Sequence, residues 1–296
     1  MKVLLMDLDM GGRHKAFPNL ALMKLSAWHK ARGDTVFLNF PLCQPNITYA
    51  SCVFTWNAKK QAGLDAIMGG SGIDLKAALE PEIEHLMPDY YLYPNTNFSL
   101  GFTSRGCIRK CPFCIVPEKE GGIQPWASIY EFWDRRHKKV ILLDNNLLAC
   151  PNWRETLSDL AKEGIETDFN QGLDIRLLDD EKARYLKSIK AKVLRFAFDD
   201  VVYEKAVCKG IELLLKQGIS ARKLSFYVLT GFNSVSAEDA IERVKILQSY
   251  DVDIYPMIYK GKDGKEPRLQ PMEFSLAGYH GSWHNLRKFQ RVISKG

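Results

Sequence analysis

In the first third of the chain, segments with hydrophobic residues at the spacing of a strand alternate with a segment at the spacing of a helix. A short apolar run at residues 3–6 predicts a strand, and apolar residues at helical spacing over residues 18–32 predict a helix. Residues 35–39 and 51–55 are predicted as two further strands. Strand, helix and strand in this order predict a small parallel α/β domain over residues 1–95.

After a turn-rich connector, the alternation resumes with longer units. Strands are predicted at residues 99–104, 140–143, 166–170, 193–198, 224–229 and 254–258, and helices at residues 153–163, 180–189, 203–217 and 237–249. Six strands separated in this way predict a parallel sheet curled into a partial (β/α)6 barrel over residues 96–258, with the functional loops at the carboxyl ends of the strands. We interpret residues 259–296 as a basic, aromatic extension that closes the barrel.

Composition agrees with a soluble globular chain and excludes several other classes. Of the 296 residues, 46% are hydrophobic and 26% are charged, which is close to the globular average and unlike disordered, collagen-like or coiled-coil chains. No apolar run approaches the ~18 residues that a membrane helix needs. Asp7 and Asp9 interrupt the first strand too early for a signal peptide. We therefore expect a cytoplasmic protein without a membrane partner.

The net charge of +6 lies mostly at the carboxyl end. The chain has 41 Lys and Arg against 35 Asp and Glu, and residues 255–296 hold eight of the bases and three of the acids, a local excess of five. A basic segment of this kind is typical of phosphate or nucleic-acid contacts, and also of a solvated surface, which is the interpretation favoured here. Nucleic acid is therefore the less expected partner.

Three of the seven cysteines lie within eight residues of one another. An odd number of cysteines without an export signal argues against a disulfide framework. Cys107, Cys111 and Cys114 follow the pattern Cys-x3-Cys-x2-Cys at the end of the first predicted barrel strand. The remaining four are scattered and are expected to be buried thiols: Cys43, Cys52, Cys150 and Cys208.

The spacing of the three clustered cysteines suits a metal cluster with one open position. A short loop can wrap three thiolates around one face of a cubane cluster, which leaves the fourth iron free to bind a second molecule. A closed zinc site or a closed ferredoxin cluster needs a fourth ligand. The nearest downstream candidate, His137, is too distant in sequence to complete a local site.

This loop resembles the cluster loop of the radical S-adenosylmethionine (SAM) superfamily, whose members carry Cys-x3-Cys-x-aromatic-Cys. Phe113 occupies the aromatic position. The resemblance implies that Cys107, Cys111 and Cys114 hold a [4Fe-4S] cluster and that SAM chelates the open iron. It further implies an electron donor such as flavodoxin or ferredoxin, and cleavage of SAM to methionine and a 5′-deoxyadenosyl radical that abstracts a substrate hydrogen. A zinc or electron-transfer site remains the alternative.

Polar residues after the second and third predicted barrel strands match the SAM-binding positions of the superfamily more loosely. The resemblance places Asn145 and Asn146 near the SAM amino group, although asparagine at such a point also serves in turns and helix caps. Asn170, Gln171 and Arg176 follow the third strand, and Arg176 is predicted to pair bidentately with the SAM carboxylate.

Three further candidates lie in other loops. Asp199 ends the fourth strand, where a carboxylate suits the SAM ribose or a substrate amine, and equally a helix N-cap. Gly231 lies in the loop after the fifth strand, where family members approach the adenine closely. His14, beside Arg13 in a Gly-rich loop, is predicted to face the barrel mouth as a substrate-binding residue, with a plain surface loop as the alternative.

The amino-terminal domain resembles the cobalamin-binding-like domain that precedes the barrel in some radical SAM enzymes. The Asp-x-His-x-x-Gly pattern of the cobalamin-binding members is absent from the loop around His14, so we expect a lid or a substrate wall and no cobalamin.

The chain as a whole resembles a small radical SAM subgroup that includes queuine lyase. The shortened cobalamin-like start, the stretch at residues 168–176 and the short end carry this resemblance, and no cysteine cluster follows residue 208. It implies a small modified nucleobase as substrate, foremost queuine, whose C–N bond is broken to release aminomethyl-deazaguanine in queuosine salvage. Asp199 is the candidate for contacting the deazaguanine ring. A radical SAM enzyme acting on tRNA is the second hypothesis, and a non-catalytic Fe–S or zinc-binding protein is the third.

Overall fold

The amino-terminal part of the chain builds a parallel sheet around its first strand. The computed structural model describes residues 1–10, 17–232, 237–259 and 261. The first elements are β1 (Lys2–Asp7), α1 (Leu20–Ala31), β2 (Thr35–Leu38), β3 (Ile47–Ser51), β4 (Ile67–Gly69) and α2 (Pro81–Glu84). The four strands run parallel in the order β2-β1-β3-β4.

Two further parallel sheets follow. Their region contains β5 (Ser99–Gly101), β6 (Ser104–Arg105), α3 (Val116–Lys119), β7 (Gln124–Pro125), β8 (Lys139–Leu142), α4 (Trp153–Glu163), β9 (Glu166–Phe169), α5 (Asp180–Ser188), β10 (Leu194–Ala197), α6 (Glu204–Lys216), β11 (Leu224–Thr230), α7 (Ala237–Ser249) and β12 (Asp253–Ile258). The sheets have the orders β5-β8-β9 and β10-β11-β12, with every pair parallel. A parallel bridge between Leu173 and Phe196 joins the segment after β9 to β10.

Capping residues set the ends of the helices. The Asn19 side chain accepts the N–H of Leu22 at 3.2 Å where α1 begins, and the Asp179 side chain accepts the N–H of Lys182 at 2.8 Å where α5 begins. Helix α4 ends at Gly164, whose φ of 62° is left-handed and therefore favours glycine. Local chemistry thus sets where α1 and α5 begin and where α4 ends.

Helices cover one face of the carboxy-terminal strands. Phe196 of β10 and Phe226 of β11 are fully buried, and their ring centroids lie 5.5 Å apart. They belong to the same hydrophobic core as Leu157 of α4 and Leu214 of α6. Burial of a side chain of this size contributes ~1.5–3 kcal/mol, so this core holds the strands and the loops that follow them in place.

The amino-terminal sheet packs directly on the first strands of the second region. Val3 and Leu5 of β1 share a core with Met23 of α1, Leu100 of β5 and Ile141 of β8. This contact places the amino-terminal part beside the strand that leads into the cysteine loop.

The prediction of an α/β fold with parallel sheets is confirmed, one predicted strand is corrected, and one strand pair was missed. The third strand was expected at residues 51–55 but is Ile47–Ser51. The chain leaves the sheet there because the Asp9 carboxylate takes the N–H of Val53 at 2.6 Å, so this N–H is not available to a neighbouring strand. The antiparallel pair β6-β7 was not predicted, since each strand has two residues and no hydrophobic alternation. None of the described helices combines the length and the apolarity needed to cross a bilayer.

Candidate cluster-binding site

The three clustered cysteines lie in a loop that begins directly after β6. Backbone N–H groups point at two of the sulfurs: Arg109 donates to Cys107 Sγ at 3.3 Å, and Val116 donates to Cys114 Sγ at 3.4 Å. Such bonds stabilise a thiolate and are common around iron-sulfur ligands. All three cysteines are half-buried, whereas Cys43, Cys52 and Cys150 are buried as predicted and Cys208 is half-buried.

The thiols of the loop influence one another electrostatically. Burial raises the pKa of Cys111, the positive charge of Arg176 opposes this, and the neighbouring Cys114 and Cys107 raise the pKa further. Burial likewise raises the pKa of Cys114, with Cys107 and Asp199 acting in the same direction. The loop therefore brings its thiols together in surroundings where their deprotonation requires a compensating cation. Within the described residues, no three His, Cys, Asp or Glu side chains are grouped around a single metal position.

A crowded glycine and a buried glutamate form the base of the loop. Gly106 has a φ of 77°, and a Cβ at this position would overlap the carbonyl of Gly122. Its N–H donates to Glu120 at 2.9 Å, and Glu120 also accepts from Arg105 at 3.0 Å. Arg105 pairs in turn with Glu84 of α2 at 3.0 Å. The start of the cysteine loop is thereby tied to the amino-terminal part of the chain.

Asp144 connects the end of β8 to the segment that enters the loop. Its buried carboxylate accepts the hydroxyl of Thr103 at 2.7 Å and both the N–H and the hydroxyl of Ser104 at 2.6 Å. This residue was not assigned from the sequence, although it stands between the apolar strand and the two asparagines that were chosen. Burial raises its pKa against the effect of these bonds.

The structure separates the two asparagines that were predicted as cofactor ligands. Asn145 donates to Glu120 at 2.7 Å and thus supports the base of the loop. Asn146 is 2% exposed, and its Nδ2 donates to Cys107 Sγ at 3.4 Å and to Asp174 at 3.3 Å. Its Oδ1 is buried without a partner among the described residues, so it remains an acceptor for a bound ligand.

Arg176 reaches the site but is already paired. It donates to both oxygens of Asp174, at 2.6 and 3.1 Å, and its guanidinium lies 4.5 Å from the ring centroid of Tyr203. Arg109 donates to the same Asp174 at 2.9 Å. Burial acts to raise the pKa of Asp174, but the hydrogen bonds from Arg176 and Arg109 outweigh this effect and lower it. A ligand carboxylate would therefore share these cations with Asp174, an arrangement that was not predicted from the sequence.

Asp199 lies at the end of β10, close to the cysteines. Its Oδ1 accepts the N–H of Leu229 at 3.3 Å. Burial raises its pKa from the usual 3.8 to about 6, while the charges of Arg243 and Arg176 act in the opposite direction. The alternative role of a cap belongs to its neighbour, because Asp200 accepts the N–H of Val202 at 3.0 Å.

Two aromatic residues connect the cysteine loop with the loop after β11. The ring of Phe113 meets the ring of Phe232 edge-on at 5.6 Å between centroids, and Phe232 meets Tyr259 at 4.9 Å. The adjacent Gly231 has a φ of 76°, so this loop turns through a conformation that favours glycine.

The remaining predicted residues differ in how close they come to this site. Asn170 is half-buried just after β9, and its carbonyl accepts the Tyr227 hydroxyl at 3.4 Å, whereas Gln171 is exposed. His14 and Arg13 lie outside the described residues, as does the carboxyl-terminal extension apart from Tyr259 and Gly261.

The raised pKa of Asp199 leads to a testable pH dependence. In the folded chain the Asp199 carboxyl keeps its proton up to about pH 6, whereas in the unfolded chain it loses the proton near pH 3.8. Folding therefore becomes less favourable as the pH rises through this window. Asp199→Asn should therefore gain about 2 kcal/mol of unfolding free energy relative to the parent between pH 4 and pH 7. Urea unfolding of the metal-free chain across this range measures it, and parallel pH curves for the two proteins would contradict the assignment.

The geometry brings together Cys107, Cys111, Cys114, Asn146, Arg176 and Asp199 from the segments that follow β6, β8, β9 and β10. Comparisons of the chain with protein-family models and with curated proteins find no match. The chemistry of these residues is therefore the basis for assigning a function.

Proposed function

We propose that this protein is a radical SAM enzyme whose Cys107, Cys111 and Cys114 hold a [4Fe-4S] cluster. The observation that carries the proposal is the gathering of three thiols in one loop, with peptide N–H groups directed at two of the sulfurs. The cysteine loop follows β6, which lies just beyond the carboxyl end of the parallel strand β5, and α/β proteins place their reactive loops at this end of their parallel strands.

Three thiolates from one loop are the ligand set that a cubane cluster with one open position needs, whereas a closed zinc site needs a fourth ligand. In a cubane cluster each of the three thiolates binds a different iron. Three ligands leave one iron for SAM, and the cationic iron compensates the cost of deprotonating half-buried thiols.

The strand arrangement supports a partial (β/α)6 barrel. Strands β5, β8, β9, β10, β11 and β12 are parallel and neighbour one another in chain order, with the Leu173–Phe196 bridge between the third and the fourth. Helices α4 to α7 share one hydrophobic core with these strands, as the outer helices of a barrel do.

Side chains of this protein would orient SAM at the open iron. When bound, the cluster supplies one electron that cleaves SAM to methionine and a 5′-deoxyadenosyl radical. Asn146 Oδ1 is positioned to accept from the SAM amino group, since it is buried and has no partner among the described residues. Arg176 would donate N–H groups to the SAM carboxylate in place of some of its hydrogen bonds to Asp174. Phe113 and Phe232 offer aromatic contact to the adenine, and Asp199 a carboxyl group to the ribose or the substrate.

The proposed substrate is a small deazaguanine-type base, foremost queuine. This step rests on the resemblance of the whole chain to the subgroup that includes queuine lyase. Hydrogen abstraction from the cyclopentenediol would place a radical next to the C–N bond. Homolysis of that bond would give the ring fragment a new C=C bond and leave the unpaired electron on the nitrogen, which becomes aminomethyl-deazaguanine when 5′-deoxyadenosine returns a hydrogen atom, or when the reductant supplies an electron and solvent a proton. The two cations beside Asp174, Arg109 and Arg176, lower the pKa of Asp174 and keep that carboxylate ionised, although burial acts in the opposite direction.

Product analysis tests the substrate. The reconstituted chain is incubated anaerobically with SAM, a reductant and queuine, and mass spectrometry should detect aminomethyl-deazaguanine that is absent when SAM is omitted. A parallel incubation with tRNA serves as the comparison. Modification of tRNA without conversion of queuine would replace the proposed substrate with the tRNA hypothesis.

A further inference from the structure

The strands β10, β11 and β12 turn one face toward their helices. Parallel sheets are normally covered on both faces. Among the described residues, the opposite face is partly open: Ala197 at the end of β10 is exposed, and Tyr255 and Met257 of β12 are 37% and 42% exposed. This partly open side, called the inner face, presents side chains that a ligand could contact.

Charged residues cross this open face in a row. Asp168 of β9 accepts from Lys139 of β8 at 3.0 Å and forms a short ion pair with Arg195 of β10. The exposed fraction of the side chain is 33% for Lys139, 16% for Asp168 and 26% for Arg195, so a ligand can reach all three. Ion pairs between strands that are neither fully buried nor fully solvated add little to stability, which leaves recognition as the better explanation for this row.

Two tyrosines continue the row on the next strands. Tyr227 of β11 pairs in register with Tyr255 of β12, and their rings meet edge-on at 5.7 Å between centroids. Tyr227 lies close to the ion pair, because the charges of Arg195 and Asp168 both act on the pKa of its hydroxyl, which burial raises. Aromatic faces beside a carboxylate and a guanidinium are the groups that bind a planar heterocycle.

We propose that this inner face binds the base of the substrate, with Asp168 and Arg195 contacting its hydrogen-bonding edge and Tyr227 and Tyr255 lying along its ring. The proposal rests on the function proposed above and names the residues that select its substrate class. It assigns recognition of the base to Asp168, whereas the sequence suggested Asp199.

The pairing chemistry suits a guanine-type edge. Asp168 can accept from the ring N–H and the 2-amino group, because its two oxygens provide about four acceptor sites and two are used by the described cations. Arg195 has five N–H donors, and among its described contacts only Nη1 is engaged, so donors remain for the carbonyl oxygen of the base.

The distance to the cysteine loop is consistent with a substrate that has an arm. Arg195, Ala197 and Asp199 lie on one side of the β10 segment because side chains alternate along a strand, and Asp199 acts on the cysteine thiols. Four residues of strand span about 13 Å, roughly the length of a bicyclic base with a short substituent. A base held at Arg195 would therefore extend its arm toward the cysteine end of the site.

Binding of free bases without a reductant tests this proposal independently of radical chemistry. The probes are 7-deazaguanine and 7-deazahypoxanthine, which lacks the 2-amino group, and the protein is the reconstituted full chain with SAM. Equilibrium dialysis should give the parent protein a preference for 7-deazaguanine of at least about tenfold. Asp168→Asn should weaken 7-deazaguanine binding about 100-fold and abolish the preference.

Glu166→Gln is the matched control, because Glu166 is two residues earlier on the same strand and pairs with the exposed Lys192 at 3.0 Å. It should retain both the affinity and the preference. Equal binding of the two bases by the parent protein would overturn the proposal even if Asp168→Asn did not fold, and so would unchanged binding by Asp168→Asn. Because no reductant is present, failure of base recognition is distinguishable from failure of SAM cleavage.

Discussion

Replacing Arg243 with methionine should cost the protein about 3–5 kcal/mol of unfolding free energy. The guanidinium is fully buried and donates to the carbonyl of Phe198 at 2.6 Å, to the carbonyl of Leu229 at 3.0 Å and to the carboxylate of Asp239 at 3.1 Å. Removal of the cation leaves the two carbonyls and the carboxylate without this donor, at a position where the Arg243 side chain itself is fully buried. Urea unfolding measures the loss.

Arg154→Met is the matched control for this prediction. Arg154 also pairs with a carboxylate, that of Glu181 at 2.6 Å, but its side chain is 55% exposed. An exposed pair contributes at most about 1 kcal/mol because water solvates both groups when the pair is broken. If the two substitutions changed stability equally, the buried network at the ends of β10 and β11 would not have the structural role described.

Gly106→Ala should remove about 3 kcal/mol or more of stability and most of the iron that the reconstituted chain retains. The residue has a φ of 77°, and the added Cβ would overlap the carbonyl of Gly122. Relief of this overlap has to move either the first cysteine, Cys107, or the Gly121–Gly122 backbone, in which the Gly121 carbonyl accepts the N–H of Cys107 at 3.2 Å. Urea unfolding and the iron content per chain report the two effects.

Gly121→Ala separates crowding from backbone conformation. Gly121 has a similar φ of 74°, but no neighbouring atom lies within 4 Å of the point that a Cβ would occupy. Its replacement should cost only the ~1–2 kcal/mol of a left-handed residue with a side chain, and iron binding should persist. Equal loss of iron in both variants would contradict the crowded base of the loop.

Regular elements of this fold could be predicted because their hydrophobic periodicity is local. The helices at 153–163 and 237–249 have the predicted bounds. Most of the parallel strands overlap their predicted ranges closely, and β3 is an exception. The error at residues 51–55 arose from a long-range contact, since the Asp9 carboxylate that binds the N–H of Val53 is 44 residues away.

The candidate site could be located from sequence, but its internal pairing could not. The spacing of the cysteines pointed to the loop because the three proposed ligands are close together in the chain. The partners that position it come from distant segments: Asp144 binds residues about 40 positions earlier, and Arg109 pairs with Asp174 across 65 positions. No periodic pattern contains such contacts, so the engagement of Arg176 by Asp174 and the buried charge of Arg243 became visible only in the fold.

Formation of 5′-deoxyadenosine from SAM is the most direct test of the radical SAM assignment. The chain reconstituted anaerobically with iron and sulfide, then supplied with SAM and dithionite, should release 5′-deoxyadenosine. Cys111→Ala should abolish it, while Cys208→Ala, which removes a thiol outside the loop, should not. A parent protein that binds a cluster but never cleaves SAM, or a Cys111→Ala variant that cleaves SAM as well as the parent, would contradict the assignment.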